Sequence, residues 1–162
     1  GVFRAGHARE RAGVAVDAWG NRIRYVVAKT ITGTGCGGTL PHFVHATNLK
    51  NNGLSCLPSD LIICNVTQAI AVGNACSAGT AVTNKEVVAA IVISTGKNGN
   101  LGPQGTNETE NVNGQGIVNR VFVSKTPDAA SVATGTGEFD DMLAWIPVGV
   151  LYGKLIAAGV LP

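Results

Sequence analysis

The sequence predicts a single α+β domain of 162 residues, built on an antiparallel β-sheet of about four strands. Short segments rich in β-branched residues predict the strands, and long stretches rich in Gly, Asn and Thr connect them. The chain is long enough to bury one hydrophobic core. Since no internal repeat and no flexible linker divides residues 1–162, we expect them to form one domain.

A turn followed by a strand is predicted near the N-terminal end. Residues 8–12, ARERA, predict the remnant of a helix that stops at Gly13. The residues typical of the turn are Asp17, Trp19, Gly20 and Asn21. We expect Trp19 to pack at the edge of the core. The strand that follows should alternate between an outward face with Arg22 and Arg24 and an inward face with Ile23, Tyr25 and Val27.

Three further segments complete the predicted sheet. Segments 61–66 and 118–124 predict short strands, and 86–94, EVVAAIVIS, predicts a central strand because it is apolar on both faces. Residues 139–146 fit either a strand or a helix. The predicted strands therefore outnumber the predicted helices, which is typical of a sheet-based domain.

Two long loops separate these strands, at 30–60 and 94–116. In the first, Pro41 is placed to open one helical turn. Compact domains rarely keep such long loops unless the loops are pinned or functional. We therefore expect segments 30–60 and 97–116 to provide the surface that faces partners.

An amphipathic helix is predicted at the end of the chain. Pro147 stands at a natural first helical position, and Gly159 is a suitable C-terminal cap. The apolar stripe of this helix contains Val148, Leu151, Tyr152, Leu155 and Ile156.

The composition limits the classes of partner. Charged residues make up 14% of the chain, 22 residues are Gly and 13 are Asn, and the formal net charge is +2. The cations form no long basic run with aromatic residues between them, so we predict no nucleic-acid partner. No apolar run within the chain reaches the roughly 18 residues of a membrane span.

The four cysteines predict two disulfides and an oxidising compartment. Their spacing contains no C-x2-C pair, which disfavours zinc, although free thiols remain an alternative. Three pairings are open to four cysteines. We favour Cys36–Cys56 with Cys64–Cys76, because each of these bonds closes a loop of modest length.

Motifs of known catalytic sites are incomplete in this chain, and we expect no enzyme. Gly33, Gly35 and Gly38 fit G-x-G-x-x-G, with Asp60 downstream, but no proper helix follows the third glycine. CGGTL before His42 is similar to the start of a trypsin-like protease, but the chain has no Gly-Asp-Ser-Gly-Gly loop. We expect His42 and His45 to be hydrogen-bonded or exposed rather than metal ligands.

Two pairs of carboxylates are candidates for binding a cation: Glu108 with Glu110, and Asp140 with Asp141. A glycosidase would also need aromatic residues to stack sugars, and the chain has only eight for core and site together. Calcium prefers carboxylate, amide and backbone oxygens on loops, which these segments supply. The alternative is that Asp140 caps the terminal segment while the glutamates are solvated.

Three motifs in order resemble those of bacterial type IV pilins and type II secretion pseudopilins. The residues that match are Asp17, Trp19, Gly20 and Asn21; Ser94, Gly96, Asn98 and Gly99; and Asp140, Asp141 and Trp145. The loop carries Lys97 where the family usually has an acid, and the cysteines lie in the middle of the chain. These departures favour a minor pilin or a pilin-like subunit over a major one.

The resemblance implies a structural subunit whose soluble head follows a long hydrophobic N-terminal helix. That helix would hold the precursor in the bacterial inner membrane and later contact other subunits in a filament, so that the head reaches the periplasm, pilus or cell surface. It also implies a structural calcium held by Asp140 and Asp141, with Glu108 or Glu110. The alternative from another class is a secreted carbohydrate-binding or adhesive β-domain.

Overall fold

The chain has an α+β structure, as predicted. The computed structural model describes residues 15–38, 40–66, 75–103, 105–114, 120–129 and 137–161. The predicted helix remnant at 8–12 lies outside them. The described strands are β1 (Arg24–Val27), β2 (Ile31–Thr32), β3 (Leu57–Pro58), β4 (Ile62–Cys64), β5 (Val88–Ser94), β6 (Val121–Val123) and β7 (Met142–Pro147). The described α-helices are α1 (Ala46–Asn52), α2 (Thr106–Gly114) and α3 (Val148–Ala157), and 3-10 turns occupy His42–Val44 and Gly53–Ser55.

Strand β5 is the centre of the main sheet, as its two apolar faces predict. The sheet is antiparallel with the order β1-β5-β7, and Ile91 pairs with Val26 on one side and Trp145 on the other. Ile91 and Ile93 are fully buried. Residues from the other elements complete this core, among them Phe43, Leu49, Leu61, Ile63, Phe122, Val148 and Tyr152.

The main sheet has three strands among the described residues, rather than about four. The predicted strands at 61–66 and 118–124 form β4 and β6, which pair with each other in parallel. A parallel pair needs a long crossover, and the chain between them, with β5 and α2, supplies it. All three residues of each strand are buried, so neither shows the alternation that would have assigned it to the main sheet.

The predicted inward face of β1 is wrong. Val26 is buried, whereas Tyr25 is 76% exposed and Ile23 is also exposed. The reason is that adjacent valines at 26 and 27 make the alternation ambiguous, and the structure buries the first of them opposite Ile91. Trp19 is 47% exposed and does not pack into the core. Arg22 and Arg24 are exposed, as expected.

Both predicted long loops contain a helix. Segment 30–60 holds β2, β3 and α1, and segment 94–116 holds α2. Neither helix has a wide apolar stripe, because α1 buries Asn48 and Leu49 while α2 buries mainly polar side chains. These helices are stabilised by tertiary contacts rather than by an amphipathic pattern, so periodicity missed them.

Two disulfides fix the connections around this core. Cys36 bonds to Cys56 and Cys64 bonds to Cys76, which is the sequential pairing favoured above. The first holds α1 and its flanking turns to the glycine-rich segment, and the second joins β4 to the chain before β5. Such bonds are typical of an oxidising compartment outside the cytoplasm.

Helix α3 follows Pro147 as predicted. Val148 and Tyr152 are buried, and the Tyr152 hydroxyl donates a hydrogen bond of 2.7 Å to the carbonyl oxygen of Cys56. Ile156, expected in the apolar stripe, is exposed. Gly159 has φ +67°, and its N–H donates to the Ile156 carbonyl oxygen at 2.9 Å. Helix α3 therefore ends at Ala157, and Gly159, the glycine that the sequence indicates, closes the turn just after it.

His42 is a buried imidazole with an expected effect on stability in acid. It is fully buried against the edge of Phe43, and neither ring nitrogen has a hydrogen-bond partner among the described residues. Burial lowers the pKa of His42 below 6.5, with a further contribution from His45. The unfolded chain therefore binds the proton first. We expect the contribution of His42 to the free energy of unfolding to fall below pH 6.5 by up to about 1.4 kcal/mol per pH unit, while the raised pKa of Asp141 contributes in the opposite direction.

Urea unfolding between pH 7 and pH 5 measures this effect. The free energy of unfolding of His42→Leu should fall less from pH 7 to pH 5 than that of the wild type, because the variant has no buried imidazole to protonate. His45→Gln, which replaces the half-buried neighbour, should retain most of it. An unchanged slope in His42→Leu would assign the acid sensitivity to other groups.

Candidate cation site

The predicted turn is tied to the loop after β5. The N–H groups of Trp19 and Asn21 donate to Oδ1 of Asp17 at 3.0 and 2.8 Å, so the carboxylate holds the turn closed. The Ser94 hydroxyl donates to Oδ2 of Asp17 at 2.6 Å, and Nδ2 of Asn21 donates to the Gly96 carbonyl oxygen at 2.6 Å. The bond from Ser94 lowers the pKa of Asp17, against the opposing effect of burial.

The same loop contacts the acidic residues that precede β7. The N–H of Lys97 donates to Oδ2 of Asp140 at 3.0 Å, and the Lys97 ammonium forms an ion pair of 2.5 Å with Glu138. Gly96 has φ +61°, and a Cβ at this position would lie 2.1 Å from Oδ1 of Asp140. The loop therefore approaches Asp140 as closely as only a glycine permits.

Three carboxylates meet at this place. Glu108, Asp140 and Asp141 each offer an oxygen, and these oxygens all lie within 4.8 Å of one another. The first turn of α2 carries Glu108, and the two aspartates stand directly before β7. Glu108 is 1% exposed and Asp141 5%, so the cluster is largely removed from water.

Amide side chains hold the carboxylates in position. Nδ2 of Asn98 donates to Oε1 of Glu108 at 3.2 Å, and the N–H of Asp140 donates to the same oxygen at 3.1 Å. Nδ2 of Asn111 donates to Oδ2 of Asp141 at 2.8 Å, while its Oδ1 accepts from the Val123 N–H at 2.6 Å. Asn111 thereby connects α2, β6 and the acidic cluster.

The cluster is electrostatically unfavourable without a cation. Burial, with smaller contributions from the charges of Glu108 and Asp140, raises the pKa of Asp141 to about 6, although the hydrogen bond from Asn111 and the charge of Arg24 oppose the shift. Burial also raises the pKa of Asp140, to which the charges of Glu108 and Glu138 contribute. Buried like charges of this kind are stabilised when a cation binds between them.

The donor set fits calcium. All three groups are carboxylates, the ligand type that hard cations prefer, and Oδ1 of Asp140 is buried without a hydrogen-bond partner among the described residues. Glu108, Asp140 and Asp141 would hold the ion, which would neutralise their charges and connect α2 to the start of β7. Glu110 is buried as well but does not belong to the cluster. The alternative with solvated glutamates is wrong, because both glutamates are buried.

Replacing Gly96 tests how closely the loop must approach Asp140. We expect Gly96→Ala to lower the free energy of unfolding by about 2–4 kcal/mol, because the methyl group adds a steric overlap to the cost of a positive φ. Gly79→Ala is the matched control, since Gly79 has φ +76° and open space around it. It should cost about 1 kcal/mol in the same urea titration. Equal losses would show that the contact with Asp140 is not tight.

The glycines of the G-x-G-x-x-G motif and Asp60 have structural roles. A Cβ on Gly33 would lie 2.3 Å from the Ser55 carbonyl oxygen, and one on Gly38 would lie 2.3 Å from Oδ1 of Asn48. These glycines therefore permit close packing against the α1 region and do not open a helix. Asp60 accepts hydrogen bonds from the Lys29 N–H, which is also a structural role.

Sequence reasoning missed the amide residues of the site. Asn111 stands three positions after Glu108, so the two share one face of α2. This spacing could have indicated that Asn111 lies beside Glu108, but only if the segment is a helix. The polar sequence of α2 did not predict a helix. Asn98 was noted only as a motif position, and its bond to Glu108 depends on the tertiary fold.

The comparisons with known proteins add no relative to this description. Neither a protein-family model, nor a curated protein, nor a solved structure matches the chain. Within the part of the chain that the structure describes, no helix combines the length and the apolar character needed to cross a membrane.

Proposed function

We propose that the chain is the head domain of a structural subunit in a bacterial type IV pilus or type II secretion filament, of the minor pilin or pseudopilin-like kind. The observation that carries this proposal is the convergence of three motifs distant in sequence. The turn at 17–21, the loop at 94–99 and the acidic pair before β7 are joined by hydrogen bonds into one network. These are the same motifs on which the resemblance rests.

In this proposal calcium has a structural role and no reaction takes place at the site. The carboxylates accept hydrogen bonds from amides and backbone N–H groups, which restrict them to one arrangement. A bound ion would add the electrostatic attraction that the cluster lacks. It would thereby stabilise the side of the head where α2, the loop after β5 and the start of β7 meet.

The outer face of the main sheet supports an assembly role. Strand pairing places one apolar set on this face: Tyr25, Val27, Ala90, Val92, Met142, Ala144 and Ile146. Tyr25, Met142, Ala144 and Ile146 are exposed, and the other three are half-buried. An exposed apolar patch of this kind marks a contact site. We assign it to packing against the N-terminal helices by which filament subunits contact one another.

A substitution on this outer face tests the assembly role. Ile146→Glu places a charge in the proposed contact, so the subunit should fold but be absent from filaments sheared from the producing cells. Val82→Glu is the matched control, because Val82 is about as exposed as Ile146 and lies outside β1, β5 and β7. Equal incorporation of both variants would contradict the assignment.

The coding sequence upstream of Gly1 separates the proposed function from its alternative. A basic leader that ends in Gly, followed by an apolar segment of roughly 20 residues with Glu at its fifth position, would support a filament subunit. A plain secretory signal peptide would contradict it and favour a secreted carbohydrate-binding or adhesive domain.

A further inference from the structure

A cleft lies beside the acidic cluster. One part is a cavity of about 220 Å³ lined by Arg24, Thr95, Asn98, Val112, Glu108 and Asp141. A second, more polar part of about 640 Å³ shares Arg24, Thr95 and Gly99 with this cavity and adds Arg22 and Asn100. We call the two together the Arg24 cleft. Two of the three candidate calcium ligands therefore line a space large enough for a small molecule.

The charges of the Arg24 cleft depend on the cation. Without it, the carboxylates of Glu108 and Asp141 would repel any anion that enters. With calcium bound, the ion and the guanidinium groups of Arg22 and Arg24 together outweigh the three carboxylates by one unit charge. Calcium takes about 6–8 oxygen ligands, more than three carboxylates supply when each gives one oxygen. The ion can therefore accept further oxygen atoms.

We propose that the Arg24 cleft binds a carboxylate-bearing sugar, a hexuronate residue, in a calcium-dependent manner. The sugar carboxylate would interact with the guanidinium of Arg24 and with the ion, because both carry the positive charge that it needs. This inference rests on the calcium site of the proposed function and goes beyond it by naming a ligand.

The uncharged lining favours a sugar over a peptide carboxylate. Thr95 and Asn100 offer a hydroxyl and an amide group, which both donate to and accept from the hydroxyls of a sugar ring. Val112 and Pro103 add apolar surface for the C–H groups of the ring. The smaller part of the cleft, about 220 Å³, is on the scale of one sugar ring.

A chemical-shift titration of the ¹⁵N-labelled protein with sodium glucuronate tests the inference. In excess calcium, we expect saturable shifts at the amides of 95–100. Methyl glucoside, which has the ring without the carboxylate, should bind the wild type about tenfold more weakly than glucuronate does. Glucuronate should likewise bind the Arg24→Gln variant about tenfold more weakly than it binds the wild type. Chelator should abolish the shifts. Lys154→Gln removes an exposed cation that does not line the Arg24 cleft and should leave the affinity unchanged.

The outcomes distinguish this inference from the calcium site itself. If calcium raises the unfolding temperature but glucuronate causes no shifts, the ligand is wrong and the calcium site stands. If calcium has no effect on unfolding, both are wrong. If Arg24→Gln binds as tightly as the wild type, or N-acetylglutamate binds as tightly as glucuronate, the proposed recognition of an acidic sugar is contradicted.

Discussion

Replacing Asp60 by alanine is expected to lower the free energy of unfolding by about 3–5 kcal/mol. The Asp60 carboxylate accepts from Nε of Arg120 at 3.0 Å, and both side chains are nearly buried, 11% and 5% exposed. It also accepts from the N–H groups of Lys29 and Thr30. The variant leaves a guanidinium buried without its counter-charge and two N–H groups without their acceptor, which is the costly way to break an ion pair.

Urea unfolding of Asp60→Ala measures this loss, and the exposed ion pair of Lys125 and Asp128 provides the comparison. Asp128 is 46% exposed at its side chain, so Asp128→Ala should cost about 0.5 kcal/mol or less despite its shorter ion pair of 2.6 Å. The contrast follows from burial, since solvent screens the exposed pair. Similar losses in the two variants would contradict the role of Asp60 as the residue that joins the ends of β1, β4 and β6.

The parts of the fold that were predictable are those with a strong local pattern. EVVAAIVIS is apolar on both faces and is the central strand β5, and the segment after Pro147 is helix α3. The helices α1 and α2 were not predictable in this way, because they are short and depend on contacts made by Asn48, Asn107 and Asn111. The parallel pairing of β4 with β6 was also unpredictable, since strands of three buried residues carry no information about their partner.

Three carboxylates of the candidate site were named from the sequence, but their arrangement was not predicted. Asp140, Asp141 and Glu108 were named from carboxylate chemistry and from the resemblance, and the structure brings them together. Glu110 was named on the same grounds but lies outside the cluster. Local sequence could not separate the two glutamates, because only the direction in which α2 packs decides which of them faces the aspartates.

Calcium is expected to stabilise the folded chain. At a calcium concentration about a hundred times the dissociation constant, binding adds about 2.7 kcal/mol, which corresponds to a rise of about 5–10 °C in Tm for a chain of this size. The physical reason is the neutralisation of three carboxylates that lie within 4.8 Å of one another. Differential scanning calorimetry in calcium and in chelator measures the shift. Glu138→Gln, which removes the partner of Lys97 outside the cluster, should retain it.

The stability of Asp141→Asn in the two conditions tests the calcium site most directly. The folded pKa of about 6 lies above the ordinary 3.8, so at about pH 7.5 the buried charge of Asp141 destabilises the calcium-free protein. The asparagine is neutral and can still accept from Asn111. In chelator, we therefore expect Asp141→Asn to be more stable than the wild type by roughly 1–3 kcal/mol. In calcium the order should reverse, because the variant has lost one of the three negative charges that attract the ion. A variant that is less stable in both conditions, or a wild type that calcium does not stabilise, would contradict a calcium site in this chain.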